Sequence, residues 1–78
     1  MRLPRYLFNV QDGMNLPDDE GPELAGRDEA HTEAIVTAGE MLRESGRKFL
    51  HGDVWEMCVT DEAGKTVCRL RFSAEACG

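Results

Sequence analysis

Few side chains in this sequence offer chemistry. The thiols are Cys58, Cys68 and Cys77, and the imidazoles are His31 and His51. A structural zinc site takes four nitrogen or sulfur ligands at close spacing. No two of these cysteines form a CxxC pair, and neither histidine belongs to a paired motif, so no metal ligand set is assigned. A nucleophilic cysteine needs a base within reach and a third group to orient that base. His51 lies close to Cys58 in sequence. Strand alternation, however, puts Cys58 on a sheet face and leaves His51 in the approach to that strand. No catalytic residue is therefore assigned, and the chain is expected not to be an enzyme. The cysteine count is odd, and the opening Met1-Arg2-Leu3-Pro4-Arg5 starts no export signal, its apolar stretch ending at Val10. Three free thiols in a reducing cytoplasm are expected.

A second cluster is acidic. Asp12, Asp18, Asp19 and Glu20 stand in a stretch that also holds Asn15. Hard cations such as calcium need several carboxylate oxygens converging on one point. The spacing departs from the EF-hand series at once, because Asp12 is followed by Gly13. A solvated loop with Asx turns is the simpler reading, and a weak divalent-cation site on these four acids is the alternative. No glycine pattern matches a phosphate-binding loop, so no cofactor is expected. With 15 acids against 9 bases the net charge is −6. That charge disfavours nucleic acid, whose phosphates are held by clustered Lys and Arg. No apolar run is long enough to span a bilayer.

At 78 residues the chain has room for one small domain, 1–78, with a thin core. Residues 5–11 alternate, with Tyr6, Phe8 and Val10 on one side and Leu7, Asn9 and Gln11 on the other, the period of a half-buried strand. Residues 12–26, with five acids, two prolines and three glycines, read as an acidic loop anchored by Leu16 and Leu24. A short strand at 22–24 could fold back beside the first. Residues 28–45 read as a helix with Ala30, Ala34, Ala38, Met41 and Ser45 on one face and Ile35 and Leu42 beside them. Asp28 is placed to cap its start, Glu29 and Glu33 suit its positive end, and Gly46 suits its exit. Gly39 inside the helix suggests a tight contact. Residues 53–60 and 65–73 read as a hairpin around Asp61-Glu62-Ala63-Gly64, and 74–78 as a tail. A four-residue loop would set Met57 opposite Cys68 and Trp55 opposite Leu70.

The order strand, helix, strand, strand predicts an α+β domain in two layers, β-α-β-β, with one helix packed on a three-stranded, mostly antiparallel sheet. The expected core is Tyr6, Phe8, Val10, Leu24, Ala34, Ile35, Ala38, Met41, Leu42, Trp55, Met57, Val59, Leu70 and Phe72. One helix cannot cover both faces of such a sheet. The second face carries Leu7, Asn9, Val54, Glu56, Cys58, Val67, Arg69 and Arg71, with Gln11 and Thr60. This mixture resembles an interface, and Lys65, Arg69 and Arg71 add a stretch of bases free of acids. Self-association, most simply a homodimer, is expected through this face or a sheet edge.

Pro4-Arg5-Tyr6-Leu7-Phe8-Asn9-Val10-Gln11-Asp12-Gly13, then Leu16-Pro17-Asp18-Asp19-Glu20-Gly21-Pro22-Glu23-Leu24, resembles a family of small bacterial proteins classed as a domain of unknown function. Residues 55–67, from Trp55 to Val67, and 70–74, from Leu70 to Ala74, fit the same pattern. The resemblance spans nearly the whole chain and supplies no substrate, cofactor or catalytic residue. A looser likeness, in the order of first strand, acidic loop and Ala-rich helix, is to antitoxins of the HicB type. That likeness implies a toxin partner and a DNA-binding segment for which this chain has no room. The expected role is a non-enzymatic protein-interaction or regulatory module.

Overall fold

The structure is a computed structural model, and residues 3–11, 15, 16, 18, 21–44, 54–75 and 77 are described. The elements are β1 (Leu7–Gln11), β2 (Asn15–Leu16), α1 (Arg27–Glu44), β3 (Val54–Thr60) and β4 (Thr66–Ser73). The fold is α+β: one helix packs on an antiparallel sheet whose strand order is β2-β1-β3-β4. Three strands are long, as expected, and the two-residue β2 is an addition within the acidic segment. No helix among the described residues is long and apolar enough to cross a membrane.

Cross-strand rows show how the alternating sequence sorts itself. Val10, Met57 and Leu70 form one row towards the helix, and Phe8, Val59 and Cys68 form the next. Trp55, Met57 and Val59 are fully buried against Ala30, Ala34 and Ala38 of α1. The alanines have no side chain beyond Cβ, so the helix can settle close on the large residues of β3. Tyr6 and Val10 complete the buried cluster, and Phe8, Leu24, Met41, Leu42 and Leu70 pack around it. Two expected core residues are exposed. Ile35 is 55% exposed and Phe72 39%, because Ile35 lies beside the Ala30–Ala34–Ala38 stripe and β4 is the last strand of the sheet.

The hairpin register differs from expectation by two residues. Trp55 pairs with Phe72 and Met57 with Leu70, while Thr60 pairs with Thr66. The turn explains the start of this shift. Asp61 N–H donates to Lys65 O, Gly64 N–H donates to Asp61 O, and Gly64 takes φ +83°. That is a three-residue loop closed by a left-handed glycine, and the Asp61 carboxylate also accepts from the amides of Ala63 and Lys65. Continued without interruption, this register would turn Arg69 and Arg71 to the helix. A register shift between Val59 and Thr60 inserts one extra residue, Val67, on β4. The bulge resets the phase, so Cys68 and Leu70 reach the core side. Val67, expected on the second face, packs against the core instead.

At the helix start, Ala30 N–H donates to Gly26 O, so Gly26 holds the cap position expected of Asp28. Asp28 sits inside the first turn, where its charge suits the helix dipole. Glu29 accepts the Ala25 amide at 3.0 Å, a reach-back of the capping-box kind. Gly39 marks no tight contact, since a Cβ built on it meets nothing within 4 Å. Gly39→Ala should therefore stabilise the dilute chain by about 1 kcal/mol through helix propensity alone. A thermal melt checks this, and a lowered midpoint would contradict it. The expected helix-end residues Ser45 and Gly46 lie outside the described residues.

Candidate functional site

The acidic segment is a cover for the sheet edge. Beyond β2, which pairs Leu16 with Val10 and Asn15 with Gln11, the chain keeps running back along β1. Tyr6 N–H donates to Pro22 O and Leu24 N–H to Pro4 O, with an antiparallel bridge between Arg5 and Glu23. The strand expected at 22–24 is this bridge. Between the two stretches the pairing is carried by side chains. The Asp18 carboxylate accepts the Phe8 amide at 3.1 Å and the Gly21 amide at 3.2 Å. Asn9 accepts the Asp18 amide through Oδ1 and donates through Nδ2 to Cys58 O. Arg5 donates to Gly21 O at 2.7 Å and pairs with Glu23. Exposed edges invite pairing with other chains, and this segment closes one of them.

Asp18, a candidate cation ligand, thus has both oxygens turned onto backbone amides. Asp12, Asp19 and Glu20 lie outside the described residues. Among the described residues no group of three or more His, Cys, Asp or Glu gathers as a metal site would require. Asp18→Ala should cost about 2 kcal/mol, since it removes a charged acceptor from two amides. Asp18→Asn keeps one carbonyl acceptor and should cost less. Chemical denaturation of the two variants would show that order, and equal stability to the parent would contradict the clamp.

The second face of the sheet consists of rows Gln11–Glu56–Arg71 and Asn9–Cys58–Arg69. Glu56 stands at its centre. Arg71 donates to Glu56 Oε2 from Nη2 at 3.2 Å and from Nε at 3.3 Å, and Arg69 Nε lies 3.7 Å from Oε1. Two of the three bases in the acid-free stretch, Arg69 and Arg71, therefore share one carboxylate of the neighbouring strand. Asn9 is committed to the edge clamp, and Cys58 Sγ lies 3.5 Å from Thr66 Oγ1. Leu7 is half-buried and Val54 exposed. Most polar groups of the expected interaction face are thus engaged with one another.

The three thiols are free. Cys58 faces a hydroxyl, and His51 lies outside the described residues. Burial, and then the nearby Cys58, push the Cys68 thiol above its ordinary range. Only thiolate is nucleophilic. Alkylation followed by mass spectrometry should modify the exposed Cys77 first and Cys68 last, with the Cys68 rate rising at higher pH than that of an ordinary thiol. Early modification of Cys68 would contradict its packing.

Exposed apolar side chains collect elsewhere, where α1 meets β4. A groove of about 310 Å³ there is lined by Ile35, Ala38, Leu42, Trp55, Leu70 and Phe72. Val36, 50% exposed, adds to the apolar surface of the same helix. Sequence reasoning missed this site because it assigned Ile35 and Phe72 to the core. The available signal was the narrowness of the alanine stripe, which leaves Ile35 at its margin.

No curated protein and no solved structure is similar enough to match the chain. Residues 5–73 match the family described as Domain of unknown function (DUF6894), and the chain belongs to that family.

Proposed function

We propose that this protein is a non-enzymatic interaction module of the cytoplasm that binds a protein through the α1–β4 end of its two-layer fold. The observation that carries this reading is the distribution of apolar surface. Ile35, Leu42, Leu70 and Phe72 gather at one groove, while on the second sheet face Arg69 and Arg71 are drawn onto Glu56. Interfaces are typically built around an apolar centre with a polar rim, and Arg71 lies at the rim of this groove. The scarcity of assembled chemistry supports the same reading. Cys58 contacts a threonine hydroxyl, and the Asp18 carboxylate is spent on backbone amides.

The test is affinity capture from the native cell with the parent chain and with an Ile35→Lys/Leu42→Lys variant, both checked by circular dichroism for retained structure. The parent is expected to recover a defined protein, itself included, and the variant to lose it. Recovery of nothing by the parent, or equal recovery by the folded variant, would overturn the reading.

A further inference from the structure

The alanine stripe of α1 has two flanks. On one, Ile35 and Leu42 line the groove at β4. On the other, Glu33, Thr37 and Met41 follow at intervals of four residues and share one side of the helix. They line a second cavity, of about 280 Å³, between α1, β1 and the acidic segment. The two have no lining residue in common. Phe8, Val10, Pro22, Met41 and Met57 give the second cavity an apolar lining. Met57 is 0% exposed and Val10 4%, so its floor is the core itself. A cavity of this kind, apolar with a few convergent polar groups, is the usual form of a small-molecule site.

The polar groups decide what the occupant must bring. Asp18, Glu33 and Thr37 line the cavity, and all three accept. The Thr37 hydroxyl donates to Glu33 Oε1 at 3.4 Å, which leaves its lone pairs to accept. Glu33 is exposed and brings its carboxylate to the mouth. Asp18 accepts the amides of Phe8 and Gly21, and a carboxylate, whatever else it holds, offers no donor. No Lys, Arg or His is among the described lining residues. A ligand that fits must therefore carry donors and positive charge at one end and an apolar body at the other.

We propose that this cavity binds a small organic cation, a primary alkylamine whose ammonium group donates to Glu33 and Thr37 while its chain lies against Val10, Met41 and Met57. An ammonium has three donors and no acceptor, the complement of the polar set. The unbranched thioethers of Met41 and Met57 adapt to the shape of a flexible chain, and the aromatic ring of Phe8 adds attraction for a cation. Drug-sized ligands occupy cavities of about 300 Å³ and more, so this one suits a smaller molecule. A metal ion fits less well, since hard cations need several oxygen ligands and most of this lining is carbon and sulfur. The proposal is independent of the protein-interaction reading above, and either can fail without the other.

Amide NMR of the full 78-residue chain, titrated separately with hexylammonium chloride, hexanol and calcium chloride, tests it. Hexylammonium should shift the amides of Phe8, Val10, Thr37, Met41 and Met57 saturably, with a midpoint in the millimolar range or below. Hexanol, which has the chain without the charge, should bind about tenfold more weakly, as should hexylammonium to Glu33→Gln, the effect of losing a hydrogen bond to a charged group. Glu40→Gln removes an exposed charge of the same helix that does not line the cavity, and should bind hexylammonium like the parent. Shifts that stay linear with hexylammonium concentration would overturn the proposal. So would equal binding of hexanol, saturation of the same amides by calcium at lower concentration, or equal weakening by Glu33→Gln and Glu40→Gln.

Discussion

Gly21→Ala is expected to destabilise the domain by more than about 4 kcal/mol, close to the whole stability of a chain of this size. Two independent causes act together. Gly21 has φ +46°, a conformation that costs an alanine about 1–2 kcal/mol. A Cβ at this position would also collide with Tyr6 O and come within 2.7 Å of Leu7 Cδ2. The first of these neighbours is backbone of the strand's entry, held by the bonds between Pro22 and Tyr6, and cannot step aside alone. Urea denaturation should show a variant unfolded or nearly so without denaturant. A variant as stable as the parent would mean that Gly21 and Pro22 do not lie against Tyr6 and Leu7 as described. Gly64→Ala provides the contrast. Its φ is also positive, but its Cβ would meet nothing within 4 Å, so only the conformational cost applies.

Trp55→Ala is the second large effect, at about 3–5 kcal/mol. Trp55 is 1% exposed and lies near the start of β3 in the same buried cluster as the alanine stripe of α1. Phe72→Ala, at its cross-strand partner, should cost distinctly less, because Phe72 keeps 39% of its surface in water. Equal losses at the two positions would invert the assignment of inside and outside.

The alternation of Tyr6, Phe8 and Val10, and of Trp55, Met57 and Val59, was sufficient to place the buried side of β1 and β3 from sequence. Alternation reports only which face is buried, and shifting a register by two preserves the faces. Hence the hairpin pairing was open to the error that the Val67 bulge and the tight turn at Gly64 expose. The helix start was displaced for a related reason. Asp28 is the better capping side chain, but Glu29 reaches back to Ala25 and Gly26 accepts the first bond. The role of the acidic segment was the least legible. Asp18 reads as a solvated acid or a cation ligand until the amides of Phe8 and Gly21 are seen on its two oxygens. That arrangement depends on contacts between segments that local propensity does not encode. The groove at α1 and β4 was hidden in the same way, since periodicity marks Ile35 and Phe72 as apolar without saying that both lie beyond the last covered strand.

The covered β1 edge forms the centre of this account. Native-state amide hydrogen exchange, followed by NMR, measures it directly. The Tyr6 and Phe8 amides, held by Pro22 O and the Asp18 carboxylate, should exchange far more slowly than amides that face only water. Fast exchange at Tyr6 and Phe8 would contradict it.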